Sequence, residues 1–376
     1  MLRAFGVDPL SAYRAMLDGA VGNTDALVTT TLKAVPLVLV GTGICIAFRS
    51  GVINIGGEGQ MIVGALTGVA VALAVPSTPR VLLVPAVLLA GAVGGGLWGA
   101  ICGVLKAKYS VSEILSTIML NIVALQLMNY LLRGPWLDAG QVGGLSKVPQ
   151  TERLAHNADL PILFDGARLH AGVIVALIMP VIAYVVLWRT NVGFRLRAVG
   201  SSPRAARYAG IRVERSIVTA LFLSGGMAGL AGAIAIFGSA SHRMFTDGSA
   251  AGFTGMAGYN GIVAALFGML SPLWTVFSSV VFGGLLVGAN KLQRALQVSS
   301  SLVVALNGLL VVFVVSSERL RRWIRRRLDD QPTSQPESAP RTASNSAAEP
   351  VPYASRVLGA TPVSSGDPQS PSGDPG

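Results

Sequence analysis

Charged side chains are scarce in this sequence, and their scarcity excludes an ordinary soluble domain. Only 12% of the 376 residues are charged, whereas a soluble domain usually carries about 25%. Three long runs hold no charge at all, namely Leu82–Leu105, Ile114–Leu132 and Ala257–Ala289. Each is close to or above the ~20 apolar residues that a helix needs to cross a bilayer. The runs are continuously apolar rather than alternating, which excludes a transmembrane β-barrel.

Residues that carry catalysis or hold metals are also few. Cys45 and Cys102, the only two cysteines, lie in apolar runs and are predicted to pack as small core residues. None of the three histidines is predicted to pair with a cysteine or an acidic residue at metal-ligand spacing (His156, His170 and His242). The sequence contains no GxxxxGK[ST], HExxH, nucleophile-elbow or paired-carboxylate motif. We therefore predict no catalytic residue, no metal site and no cofactor in this chain.

The apolar runs predict an all-α, polytopic bundle with about nine transmembrane spans. The seventh and eighth are separated by a very short turn, so they form a helical hairpin or one of them is a half-helix. The nine predicted spans are 29–48, 56–76, 81–105, 112–132, 171–188, 216–238, 256–270, 272–290 and 299–317.

The positive charge is concentrated in two stretches, and these predict the orientation. Seven Arg lie in 189–215 and six in 319–327, out of a net charge of +11. Both stretches flank apolar spans, which favours the positive-inside rule over nucleic-acid binding. The rule puts 189–215 and the C-terminus in the cytoplasm and the loop 133–170 outside. It also puts the N-terminus outside, although Met1–Gly22 lacks the apolar core of a signal peptide.

Three regions follow from this reading. Residues 1–28 form an N-terminal segment that is predicted to be non-cytoplasmic. Residues 29–318 form the transmembrane domain, which includes the basic segment 189–215. Residues 319–376 begin with the second Arg stretch and continue as a Pro- and Ser-rich cytoplasmic tail that is predicted to be disordered.

A glycine-rich stretch, RSGVINIGGEGQMIVG at 49–64, interrupts the first two spans. Asn54, Glu58 and Gln60 lie among its glycines. Two readings stay open: a broken helix that builds a polar transport site at membrane depth, or an ordinary turn in which Glu58 caps the next helix. Asn121 and Asn129 in the fourth span either line the same pathway or bond neighbouring helices.

Glycines 91, 95 and 99 recur every four residues and predict a close helix-packing face. In the basic segment, Ser202 and Pro203 predict the start of a short helix, which Gly210 ends. Such a helix either docks into a groove of a cytoplasmic partner or is part of a solvated loop that only sets the topology.

Four segments together resemble the permease subunits of bacterial ABC importers of the ribose and simple-sugar class, and most closely the nucleoside-importer branch. They are GVINIGGEGQMIVGAL (51–66), VSEILSTIMLNIVALQLMNYLLRGP (111–135), RAVGSSPRAARYAGI (197–211) and GYNGIVAALFGMLSPLWTVFSSVVFGGL (258–285).

The resemblance implies a subunit in the bacterial plasma membrane with several partners. These are a cytoplasmic ABC ATPase that binds ATP and Mg²⁺, a second and different permease chain, and an external substrate-binding lipoprotein. Asn54, Glu58 and Gln60 would line or support the pathway. The resemblance also implies a coupling helix that docks on the ATPase, formed by Ala198, Val199, Gly200, Pro203, Ala205, Ala206, Ala209, Gly210 and Ile211.

Family folds have about ten helices with the N-terminus inside, so the resemblance implies that one helix upstream of residues 8–23 is missing here. The resulting hypothesis is an ATP-driven importer subunit for nucleosides or related solutes. One alternative keeps the class and changes the solute to a simple sugar or riboflavin. Another is an ion-coupled secondary transporter that uses Glu58 as its ion site.

Overall fold

The computed structural model describes residues 9–141, 149–164 and 169–295. These residues lie within one compact unit, 1–324, and the second unit, 325–376, falls outside the described residues. The predicted span 299–317 and the predicted tail 319–376 therefore also lie outside them. Within the described part the chain is an α-helical bundle with one two-stranded sheet, which confirms the predicted fold class.

Twelve helices follow one another in the described chain. In order they are α1 Pro9–Val21, α2 Thr24–Arg49, α3 Gly57–Ala74, α4 Arg80–Tyr109, α5 Glu113–Arg133, α6 Gly172–Arg189, α7 Asn191–Ser201, α8 Pro203–Tyr208, α9 Val213–Phe237, α10 Ala250–Thr254, α11 Ala257–Phe267 and α12 Pro272–Ala295. Strands β1 (Ile162–Phe164) and β2 (Leu169–His170) pair antiparallel between α5 and α6, with Ile162 opposite His170. The first predicted region, 1–28, thus contains helix α1 and the first turn of α2.

Seven of the described helices are long and apolar enough to cross a membrane: α2, α3, α4, α5, α6, α9 and α12. The predicted seventh span, 256–270, is not one of them. It corresponds to α11, whose 11 residues rise about 16 Å at 1.5 Å each, about half of the ~30 Å hydrocarbon thickness. The half-helix reading is therefore correct for this segment, and the number of full spans stays a prediction, because the predicted span 299–317 lies outside the described residues.

Helix packing at the centre of the bundle depends on the predicted glycine face of α4. An added Cβ at Gly95 would lie 2.5 Å from the carbonyl oxygen of Gly225, and one at Gly91 would lie 2.6 Å from the Cβ of Ala233. Both partners belong to α9. Because α4 has no side chains at these glycines, it packs closely on α9, which confirms the packing face.

The two ends of the bundle differ in character. The basic side carries α7 and α8, and there the guanidinium of Arg49 lies 5.5 Å from the ring centre of Trp188. The loop side carries residues 134–141, 149–164 and 169–171, and there Arg80 donates to the carbonyl oxygen of Asp159 (3.0 Å).

The segment that includes α10 and α11 runs from the loop side to the basic side. At one end Thr246 donates its N–H to the carbonyl oxygen of Pro149, which belongs to the loop side. At the other end the carbonyl oxygen of Leu270 accepts from Arg49 Nε (3.2 Å) on the basic side. The break between the two helices falls at Gly255 and Met256, which both have φ near +60°. The chain therefore crosses here as a broken helix.

Candidate functional site

The connection from α2 to α3 is buried inside the bundle. It turns at Gly51, whose φ of +75° favours glycine. Val52 and Asn54 are then only 3% and 1% exposed. Irregular backbone at membrane depth is tolerated where protein covers it. The turn itself is exposed at Gly51, and from Val52 onward the glycine-rich stretch forms a largely buried segment.

Side chains satisfy the polar groups of this segment. Asn54 donates to Gln60 Oε1 (2.9 Å) and to Ser224 Oγ of α9 (2.8 Å), and Gln60 returns a hydrogen bond to Asn54 Oδ1 (3.1 Å). The N–H of Gly56 also donates to Asn54 Oδ1 (2.9 Å). A buried network with all members bonded fixes local geometry. Asn54 and Gln60 thus support the segment, and both are 1% exposed.

Asn121 of α5 bonds the backbone of the same buried segment, whereas Asn129 does not. The side chain of Asn121 accepts from Gly59 N–H (2.8 Å) and donates to the carbonyl oxygen of Ile55 (3.0 Å). Asn129 instead accepts from Thr246 Oγ1 (2.9 Å) on the loop side. The structure therefore does not bring Asn129 to the other predicted pathway residues.

Glu58 connects the N-termini of two helices. It lies in the first turn of α3, where Gly57 packs against Gly258 of α11 with an added Cβ only 3.1 Å from the Gly258 Cα. Its carboxylate accepts hydrogen bonds from Thr254 Oγ1 and from the Tyr259 N–H in the first turn of α11. A carboxylate complements the partial positive charge of a helix N-terminus, and Glu58 does so where two helices converge.

A cavity of about 460 Å³ lies against this junction. Gly238 and His170 line it toward the loop side, and Thr254 lines it beside Glu58. Its wall also includes Lys33 and the half-buried Phe253. The volume falls within the range of about 300–1,000 Å³ typical of small-molecule sites.

Sequence reasoning missed the cavity residues Lys33, Phe253 and Thr254. Lys33 carried a signal, because a charged residue inside the apolar run 29–48 marks a candidate site. No sequence pattern marked Phe253 and Thr254 as candidates. They line the cavity because the chain is broken after α10.

The basic segment forms two helices, α7 and α8. Ser202 caps α8 by accepting from Ala205 N–H (3.3 Å), and Pro203 occupies its first turn. Gly210, with φ of +77°, follows the helix end. The predicted short helix is confirmed with these boundaries.

The predicted coupling residues divide by exposure. Val199 (2% exposed) and Ala206 (4%) form a buried apolar cluster with Val213 that holds α7, α8 and α9 together. Ala198, Gly200 and Ile211 are half-buried. The exposed members, which remain open to a partner, are Pro203, Ala205, Ala209 and Gly210.

Gly200 makes the contact that links α7 to the buried segment. A Cβ added at Gly200 would overlap the carbonyl group of Arg49 at the end of α2, and one added at Gly51 would lie 3.0 Å from the Gly200 Cα. The two glycines thus allow backbone to pack on backbone where the basic segment meets the α2–α3 connection.

Two histidines pair with the same acidic residue, although the sequence predicts no histidine that pairs with a cysteine or an acidic residue at metal-ligand spacing. His156 Nδ1 lies 3.0 Å from Asp159 Oδ2, and His242 Nδ1 lies 2.8 Å from Asp159 Oδ1. The first pair is three residues apart, a spacing that the sequence displays. The second joins residues 83 apart, which only the fold could bring together.

Broken helices that meet inside an apolar helical bundle beside a cavity are typical of membrane transport proteins. The chain belongs to the family described as branched-chain amino acid transport system / permease component, which matches residues 26–315.

Three relatives are similar over most of the chain. A guanosine ABC transporter permease protein of Bacillus subtilis is 35% identical over 84% of this chain and 88% of its own length. A glucose ABC transporter permease protein of Haloferax volcanii is 35% identical over 88% of each. A nucleoside ABC transporter permease protein of Lactococcus lactis is 32% identical over 77% of this chain and 79% of its own. No solved structure matches the chain.

Proposed function

We propose that this permease imports nucleosides or closely related ribose-containing solutes, driven by a separate ABC ATPase. Two of the three relatives described above are named for guanosine or nucleosides, which favours this solute class. The third is named for glucose, so simple sugars form the second candidate. Riboflavin is the third.

The cavity beside Glu58 is the proposed solute site within this chain. The position of Thr254 supports this site, because Thr254 lines the cavity and also bonds the Glu58 carboxylate that joins α3 to α11. The Phe253 ring offers a face for stacking a base, and side-chain hydroxyls offer hydrogen bonds to a ribose. A solute that contacts Thr254 would therefore act on the junction of two broken helices.

The proposed cytoplasmic face is the basic side. The positive-inside rule supports it, since the segment 189–215, from the end of α6 to the start of α9, carries seven Arg. The exposed Ala205 and Ala209 would meet the ATPase, which would supply ATP and Mg²⁺ because the sequence has no P-loop. A substrate-binding lipoprotein would dock on the loop side, and a second permease chain would complete the pathway. On this orientation the C-terminus is cytoplasmic.

An uptake assay tests the solute and the energy source together. The permease is reconstituted in proteoliposomes with its ATPase, second permease and binding protein, and labelled guanosine uptake is measured against glucose and riboflavin as competitors. We expect ATP-dependent guanosine uptake that excess glucose leaves unchanged and that a Walker-A variant of the ATPase abolishes. Competition by glucose or riboflavin would move the assignment to that solute. Uptake that follows a proton or sodium gradient without ATP would contradict the proposal and favour secondary transport.

Disulfide cross-linking tests the docking surface. Cys45 and Cys102 are buried, so they give little background when a single cysteine is introduced. We expect Ala205→Cys and Ala209→Cys to cross-link to cysteines placed in the ATPase groove. Glu152→Cys, on the loop side, is the matched control and should not react. Cross-linking of the control alone would show that the ATPase docks on the opposite face.

A further inference from the structure

A cluster on the loop side brings three metal-ligating side chains onto one point. His156 and His242 direct their Nδ1 atoms at the two different oxygens of the Asp159 carboxylate, at 3.0 and 2.8 Å. The two imidazole rings meet edge to face with centroids 4.6 Å apart. One potential ligand atom from each residue lies within 4.8 Å of the other two. Two imidazoles and one carboxylate form a donor set that zinc accepts.

The separations suit a shared metal. Ligand atoms bound to tetrahedral Zn²⁺ at 2.0–2.1 Å lie about 3.3 Å apart. The Nδ1–carboxylate distances, 3.0 Å for His156 and 2.8 Å for His242, would thus widen by only about 0.3 and 0.5 Å if a metal replaced the bridging protons. The His156 side chain is 81% exposed, which leaves room for water or a further ligand at the remaining coordination position.

Neighbouring cations do not occupy the Asp159 carboxylate. Arg80 donates to the main-chain carbonyl oxygen of Asp159 rather than to its side chain. Arg243, which follows His242 in the chain, pairs with Asp138 at 2.6 Å. Among the ion pairs of the described residues, Asp159 therefore interacts only with the two imidazoles.

We propose that His156, Asp159 and His242 form a surface site for Zn²⁺ or a similar divalent first-row metal. The site joins the loop between α5 and α6 to the connection from α9 to α10. Leu154 N–H already bonds the His242 carbonyl oxygen (2.8 Å) between these segments. Because the second segment leads to Phe253 and Thr254, a bound metal would hold the connection that forms the rim of the cavity.

Metal titration of the purified chain tests the site. The protein carries a tag without histidines, and Zn²⁺ alone is added in competition with a chromogenic chelator. We expect one Zn²⁺ per chain. His156→Ala should weaken binding by about tenfold or more and is expected to fold, because the side chain is exposed. Asp159→Asn should weaken it similarly. His170→Gln, which changes the only other histidine, should leave binding unchanged.

Two further readouts make the outcome decisive. Cobalt in place of zinc should give the visible absorption of a tetrahedral nitrogen–oxygen site, and His156→Ala should remove it. Zn²⁺ should raise the melting temperature of the wild-type protein but not that of the His156→Ala/His242→Ala variant. Equal zinc affinity in the wild type and the double variant would overturn the proposal, as would failure of the wild type to bind zinc at micromolar concentrations.

Discussion

Replacing Glu58 separates a role in joining helices from a role in carrying charge. Gln has nearly the same size and retains an acceptor for the Tyr259 N–H. The Thr254 hydroxyl both donates and accepts, so it can face either a carboxylate or an amide. Glu58→Gln therefore keeps two hydrogen bonds and removes the charge, whereas Glu58→Ala removes both of these side-chain bonds between the N-termini of α3 and α11.

The magnitudes follow from those two bonds. Hydrogen bonds to a charged group contribute about 1.5–3 kcal/mol each, so Glu58→Ala should lower the free energy of unfolding by roughly 3–6 kcal/mol. Neutral hydrogen bonds contribute about 1 kcal/mol each, so Glu58→Gln, which keeps two of them, should lower the free energy of unfolding by roughly 1–4 kcal/mol. The assays are thermal unfolding of the purified chain and ATP-driven uptake by the reconstituted complex.

We expect Glu58→Gln to retain most of the uptake and Glu58→Ala to lose both stability and uptake. Glu152→Gln, which neutralises an exposed carboxylate on the loop side, is the control and should change neither. A Glu58→Gln protein that melts like the wild type but transports nothing would refute this reasoning. In that case the charge itself would be required, as in an ion-coupled transporter.

Three further predictions follow from the packing and from one titrating group. Gly200→Ala should lower both the melting temperature and uptake, because the added Cβ would overlap the backbone at Arg49. Gly284→Ala is the control and should be neutral or stabilising, because the nearest atom to its added Cβ would lie 3.4 Å away. Gly95→Ala should cost about 1–3 kcal/mol through overpacking against α9, and unchanged denaturation would contradict the close α4–α9 contact. Burial lowers the pKa of His170 from its ordinary 6.5, so the folded protein binds that proton less tightly than the unfolded chain. The free energy of unfolding should therefore fall as the pH drops below about 6.5 and level off below the folded pKa, and His170→Gln should flatten this part of the profile.

Signals confined to neighbouring residues predicted much of the fold. The uncharged runs gave the long helices, because a bilayer-length apolar stretch has few other stable conformations. Glycines 91 and 95 gave the packing face of α4, since their spacing puts them on one side of a helix. Ser202 and Gly210 bounded α8 by capping and by a left-handed backbone. Each of these signals lies within a few residues of the structure it predicts.

The features that were missed depend on contacts between distant segments. Hydropathy placed the seventh span at 256–270, close to α11, but it did not reveal helix α10 or the left-handed connection at Gly255 and Met256 that joins α10 to α11. Asn129 resembles Asn121 in sequence, yet it lies two turns further along α5 and bonds a different segment. His242 meets Asp159 only because α9 returns the chain to the loop side. Such sites require the fold, since no local pattern encodes them.

The predicted coupling segment and the Glu58 junction are connected by a continuous set of contacts. Gly200 packs on Gly51, and Asn54 three residues later bonds Gln60 in the first turn of α3, where Glu58 caps α11. A shift of α7 would therefore displace the start of α3 and, through Glu58, the start of α11. Energetic coupling between sites travels through such packed and hydrogen-bonded elements, but contact alone does not demonstrate it.

A double-mutant cycle supplies the demonstration. Changes at separate, uncoupled sites add to within about 0.5 kcal/mol, whereas coupled ones deviate by about 0.5–3 kcal/mol. We expect Gly200→Ala and Glu58→Gln to be non-additive in the activation free energy of ATP-driven uptake. Gly284→Ala combined with Glu58→Gln should be additive, because Gly284 packs on α1 and α2 instead. Additivity in both cycles would mean that the Gly51–Gly200 contact holds the two segments in place without transmitting the ATPase movement to the cavity.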